Sequence, residues 1–193
     1  MDEVLFRDIL ETETVFEEML ALKEDSPYHR EENVKTHTLM VCEQYRGRVS
    51  PDEEWFWLGL FACLLHDVSK PECKAAKKNQ ELGLWSFHGH DIRGAARATD
   101  MLVRKGVSAF DIYRISWMIE HHTVFWSVKD AEKKLEMARF LVRQDCFLPF
   151  RFFMISDDQG RICDERKLDS EDHFDRFESE FVHTLRPQKA LIR

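Results

Sequence analysis

The stretch that most constrains the fold is WFWLGLFACLLHD, running from Trp55 to Asp67. From Trp55 to Leu65 it is apolar nearly all the way round, and an α-helix without a polar face must be enclosed by other protein. Ser50, Pro51 and the acids Asp52, Glu53 and Glu54 just ahead read as a helix start: a capping hydroxyl, a pre-set φ and negative charge beside the N-terminal dipole. His66 and Asp67 end the run, and Pro71 limits any continuation. Two side chains able to ligate a metal, with Lys70 one turn on, are thus delivered from the centre of the core.

The rest of the chain supplies helices to enclose it. Residues 2–22 carry Val4, Leu5, Ile9, Leu10, Val15, Phe16, Met19 and Leu20 at helical spacing. Val34, Thr38, Val41 and Tyr45 form a second stripe, with His37 one position away. Two helices are expected from Asp91 to Lys105 and from Ser108 to His122, divided by Gly106 and with Ser108 as N-cap. Residues 130–156 read as helical, kinked or split by Pro149, with the break just after Asp145. Asp157 to Asp172 reads as a loop, and SEDHFDRFESEFVHTL as a last helix. Between Cys73 and Phe87 the period is lost, which fits a short β-hairpin near 74–87 or an irregular loop. Fifteen Phe and five Trp against seven Gly and five Pro favour packed helices over a turn-rich all-β fold. The expectation is an all-α bundle, one domain over 1–193.

Charge and cysteine content narrow the function classes. A net charge of −8 gives no global attraction to a nucleic-acid duplex or an anionic membrane, so an anionic substrate would need local cations or a metal. No segment approaches the roughly 20 consecutive apolar residues of a membrane span, and the acidic N-terminus lacks a signal-peptide pattern. Five cysteines, odd in number and never arranged as CxxC, read as reduced thiols of a cytoplasmic protein.

His37, His66, Asp67, His90, His121, His122 and Asp145 fall on separate expected helices or their ends, so only convergence of several helices could make them one cluster. Imidazole and carboxylate donors together suit a divalent transition metal: Mn, Fe, Co, Ni or Zn, as one ion or two. Arg93 and Arg97 share a helical face with His90 and could form an electropositive rim; Lys74, Lys77 and Lys78 could add to it. His29, His173 and His183 have no such context and read as structural or solvated. His88 could touch a substrate. The Trp and Phe residues read as core rather than as a base-stacking platform.

In order, THT around His37, LLHDVSKP, FHGHDIRGA and MIEHHT closely resemble the HD superfamily of metal-dependent phosphohydrolases over about residues 30–160. KP followed by SFHGHDIRGAARA is similar to HD domains attached to tRNA nucleotidyltransferases and poly(A) polymerase-like proteins, as is SDDQGR at Ser156–Arg161. The resemblance implies a four-ligand core of His37, His66, Asp67 and Asp145, with His90 and His121 or His122 as ligands of a second ion. Asp145 lies in ARFLVRQDCF, which resembles the family's final-ligand helix, and Asp158 competes with it.

The implied chemistry is attack of metal-activated water on phosphorus, with Asp67 and Lys70 catalytic and Lys70, His88, Arg93 and Arg97 contacting substrate. The expected substrate is a small nucleotide or a short phosphorylated RNA end. A mixed-valent diiron oxygenase and a non-catalytic regulatory module are the competing functions, and oligomeric state is not legible.

Overall fold

The computed structural model describes residues 1–23, 29–74, 87–163, 170–183 and 185. Its described elements are helices throughout: α1 (Glu3–Thr12), α2 (Val15–Ala21), α3 (Val34–Arg48), α4 (Phe56–Leu65), α5 (Lys70–Cys73), α6 (His90–Arg104), α7 (Ala109–Phe125), α8 (Ala131–Arg143), α9 (Phe147–Gln159) and α10 (Ser170–Phe177), with a π-helical segment at Glu178–Val182. The all-α expectation holds among these residues. Residues 75–86, on which the hairpin or loop reading falls, lie outside those described.

The apolar run becomes the central helix. Every residue of α4 but Trp57 is buried, and α3, α7 and α9 pack around it. Its start comes later than the Ser50-Pro51 signal suggests. Residues 51–55 instead form successive turns, with Ser50 Oγ accepting from Asp52 N–H (3.3 Å) and Ser50 O from Glu53 N–H (3.1 Å). Trp55, just ahead of the helix, stacks on Phe152 with ring centroids 5.7 Å apart.

Capping and spacing account for the surrounding elements. Asn33 caps α3 by accepting from Thr36 N–H at 2.9 Å, and the whole Val34/Thr38/Val41/Tyr45 stripe is buried. Ser108 caps α7 through Asp111 N–H (3.1 Å), after the turn at Gly106. α7 runs on to Phe125, three residues beyond the expected end at His122. The N-terminal helix divides at Glu13, whose extended backbone (ψ 116°) ends α1 and whose carboxylate pairs with Arg104. Phe6, Ile9, Val15, Phe16 and Met19 from α1 and α2 enter the same core, as do Phe174, Phe177 and Val182 at the other end.

The 130–156 stretch is split about where expected, between Arg143 and Phe147, and Pro149 occupies the first turn of α9, where a missing N–H breaks no intrahelical bond. The apolar helix stops short of Pro71, which sits in the first turn of α5. One departure bears on the site: α9 reaches Gln159. Asp157 and Asp158 are therefore helical, not part of a loop.

Candidate metal centre

Six side chains from five parts of the chain meet in a cavity of about 120 Å³: His37 from α3, His66 and Asp67 from the turn after α4, His90 from the start of α6, His122 from α7 and Asp157 from α9. The local cause is clearest at His66 and Asp67. Beyond Leu65 the chain winds into tight turns, with Val68 N–H on Leu65 O and Lys70 N–H on Asp67 O (3.0 Å), so Asp67 and Lys70 face the same way. Ser69 Oγ donates to His90 O at 2.7 Å and ties this turn to α6. Gly94 allows the approach, because a Cβ there would lie 3.2 Å from His66 O.

The donor atoms of these six side chains fall into two groups that share no residue, and a third group, His29, Glu31 and His37, shares His37 with the first. His37, His66 and Asp157 form the first, and Asp67, His90 and His122 the second, with the donor atoms of each within 4.8 Å of one another. Asp67 links these two. Its Oδ2 lies 3.1 Å from His66 Nε2 and 3.9 Å from His37 Nε2, while Oδ1 lies 3.5 Å from His90 Nε2. On the far side Asp157 Oδ1 is 3.2 Å from His37 Nε2 and 3.7 Å from His66 Nε2.

Three of the four histidines are held alike. His66, His90 and His122 each place Nδ1 against the carbonyl three residues earlier, Cys63, Phe87 and Ile119, at 2.8, 2.8 and 2.5 Å. A ring that donates through Nδ1 presents a lone pair at Nε2. Those lone pairs converge: His90 and His122 bring Nε2 atoms within 3.2 Å, and the buried His66 Nε2 faces two carboxylates without making a hydrogen bond. Acceptors this close repel one another unless a cation lies among them, and four imidazoles with two carboxylates are the donor set of a divalent transition ion. The residues fit a metal.

The electrostatics of the metal-free site agree. Burial opposes charge on Asp67, yet His66 and Lys70 hold its carboxyl well below the usual range. Burial acts on Asp157 too, and Arg161 and His37 outweigh it in the same sense. Burial pushes His37 down, but Asp157 and Glu31 carry it up to about 9. His122, buried beside His66 and His90, is pushed down to about 3. Two cations flank the group. Lys70 Nζ is 2.8 Å from Asp67 Oδ2, and Arg161 Nη2 donates to Asp157 Oδ2 at 2.7 Å; both line the cavity.

Other candidates lie elsewhere. Asp145 is exposed in the turn between α8 and α9, at φ 49°, away from the cavity lining. Asp158 is half-buried beside Asp157 and does not line the cavity either. The carboxylate that does is Asp157, which neither alternative named. A signal existed, since Asp157 continues the buried row of Phe150, Phe153 and Met154 once α9 is read through.

His121, one residue from His122 and therefore about 100° round the helix, stacks on Trp117 with centroids 4.0 Å apart. His88 is exposed in the turn before α6. Arg93 and Arg97 line a different cleft, with Glu13, Glu72 and Arg104, where Arg97 pairs with Glu72. His29, read as uninvolved, lines the metal cavity, and Glu31 behind it is buried. No sequence pattern singled out Glu31, because besides the nearby His29 its partners are His37 on α3 and Ile162 after α9.

Comparison with protein families matches the HD domain over residues 29–148. The A-adding tRNA nucleotidyltransferase of Deinococcus radiodurans is 36% identical over 89 residues, 46% of this chain and 19% of that protein. The chain thus spans about a fifth of that relative's length. No solved structure matches. Among the described residues no helix is long and apolar enough to cross a membrane.

Proposed function

The chain belongs to the HD domain family, and from that premise we propose that it is a divalent-metal-dependent phosphohydrolase acting on a phosphate ester of a nucleotide or an RNA end. His37, His66 and Asp157 would hold one ion and Asp67, His90 and His122 a second, with Asp67 bridging. Bound there, a divalent metal supplies a Lewis acid for phosphoryl oxygens and lowers the pKa of a water molecule.

The observation that carries the reading is the pair of cations. Lys70 pairs with Asp67 Oδ2, the oxygen that also faces His66, Arg161 holds the outer oxygen of Asp157, and both cations line the cavity. A guanidinium and an ammonium across one small space suit an oxyanion with several acceptor atoms. Lys70, buried against the Phe87 ring at 5.5 Å, is placed to bind a phosphoryl oxygen or hold a proton for the departing group. Drug-sized ligands fill pockets of roughly 300–1,000 Å³. A cavity of about 120 Å³ is therefore matched to a phosphoryl group, with the rest of the substrate outside. The likeness to an A-adding tRNA nucleotidyltransferase supports an RNA end as the outer part.

The test is elemental analysis of freshly purified protein, followed by assays with that metal on phosphomonoesters, cyclic phosphates and nucleoside triphosphates. Release of phosphate or opening of a cyclic ester, lost on chelation, is expected. No turnover across the panel would overturn the reading, and oxygen consumption by iron-loaded protein would replace it with the oxygenase.

A further inference from the structure

Of the four histidines in the two donor groups, His37 is oriented differently. The other three turn Nδ1 to the carbonyl three residues earlier in the chain. For His37 that carbonyl belongs to Val34, but the ring instead turns Nδ1 toward the side chain of Glu31, 3.5 Å from Oε1. Glu31 is 1% exposed and does not lie on α3. Its Oε1 accepts Ile162 N–H at 2.8 Å, and Arg30 N–H donates to Ile162 O at 2.8 Å, so the chain ahead of α3 is pinned to the chain beyond α9.

An ionised carboxylate costs several kcal/mol to bury, and one backbone N–H does not require it; a neutral amide oxygen would serve. The negative charge acts on the two imidazoles that Glu31 faces, His29 with Nδ1 3.4 Å from Oε2 and His37 with Nδ1 3.5 Å from Oε1, and of these His37 is the one that also faces His66 and Asp157. A carboxylate behind a ligating imidazole keeps the proton on the rear nitrogen and makes the front one a stronger donor.

We propose that Glu31 is a positioning residue: it holds His37 as the Nδ1–H tautomer, aims Nε2 at the space shared with His66 and Asp157, and makes that group the tighter of two metal positions. The inference rests on the two-ion reading above. It divides the site by the source of histidine orientation. The Asp67/His90/His122 group relies on main-chain carbonyls alone, whereas the His37 group depends on a side chain that substitution can neutralise.

Glu31→Gln is the discriminating variant. Its amide oxygen can keep the Ile162 N–H bond, while the amide NH₂ turned to His37 disfavours the Nδ1–H tautomer. Titration of full-length, metal-stripped protein with Mn²⁺ alone, followed by calorimetry, should give two ions for the wild type. In Glu31→Gln one ion should weaken about 10- to 100-fold and the other stay within about twofold. Co²⁺ absorption should change for the weakened ion only, with unaltered helicity; Glu31→Asp should recover part of the affinity.

Two wild-type-like ions in Glu31→Gln would overturn the inference and leave the phosphohydrolase reading intact. Loss of a third ion present in the wild type would also overturn it, by making Glu31 a ligand. If wild-type protein binds no divalent ion, both readings fall.

Discussion

At the scale of single residues, the site depends on carboxylates that are nearly indistinguishable in sequence. Asp145, Asp157 and Asp158 each lie near the end of an apolar helical run, yet only Asp157 is aimed into the cavity. Its Oδ1 faces two imidazoles and its Oδ2 takes Arg161, so both oxygens have work that an amide cannot do. Asp157→Asn and Asp67→Ala should each strip metal and abolish turnover with helicity nearly intact. Asp145→Asn should retain full metal content, because Asn tolerates φ 49° and nothing in the cavity changes. Elemental analysis of the three purified variants checks this; a metal-replete Asp157→Asn would remove that residue from the ligand set. His37, His66, Asp67, His90 and His122 were all legible from motif order. His121 was not separable from His122, because the two share every local feature and differ only in direction round α7.

At the scale of elements, the site is set by how closely α3, α6 and α9 approach the turn after α4. Gly59 in α4 meets the ring of Tyr45 from α3, and a Cβ at that position would collide with the phenol. The Tyr45 hydroxyl is itself buried without a hydrogen bond. Gly59→Ala should therefore destabilise the protein by about 1–3 kcal/mol, although Ala is the better helix former by about 1 kcal/mol. Adding Tyr45→Phe should recover part of the loss, since it removes the oxygen nearest the new methyl. Chemical denaturation of the single and double variants measures both changes; a stabilised Gly59→Ala would mean that α3 and α4 sit farther apart. Periodicity revealed α3, α6 and α7, the first and last with side-chain caps at Asn33 and Ser108 and α6 without one. It also placed the split ahead of Pro149, whose missing N–H suits the first turn of α9, but it stopped short of the ends of α7 and α9 at Phe125 and Gln159.

At the scale of the whole molecule, the buried site couples folding to pH and to metal. In metal-free protein His37 is raised to about 9, so its contribution is fully present below the ordinary histidine value of about 6.5 and lost as pH rises through 9. His122 is lowered to about 3, so its contribution is present above about 6.5 and lost as pH falls toward 3. Asp67 and Asp157, held low, give up theirs only below about 4. Metal-free stability should peak near pH 6.5 and fall on both sides. Loading requires neutral His37, so the alkaline loss should vanish with metal. Metal at 100 times its Kd should add about 2.7 kcal/mol, or about 5–11 °C in Tm for a chain of this length. Denaturation against pH, with and without chelator, tests both, and a chelator-insensitive Tm would detach the site from stability.

The sequence alone determined that this chain is a helical bundle around one apolar helix, and that the helix ends in groups able to ligate a metal. Those properties are carried by spacing and composition within short stretches, where side-chain period dictates which face is buried. Tertiary structure decided which carboxylate closes the site, which of two adjacent histidines points inward, and that Arg161, Glu31 and His29 belong to it while Arg93 and Arg97 do not. Each of these depends on direction and on distance between residues as much as 131 positions apart, as between Glu31 and Ile162, and neither quantity is written in local pattern.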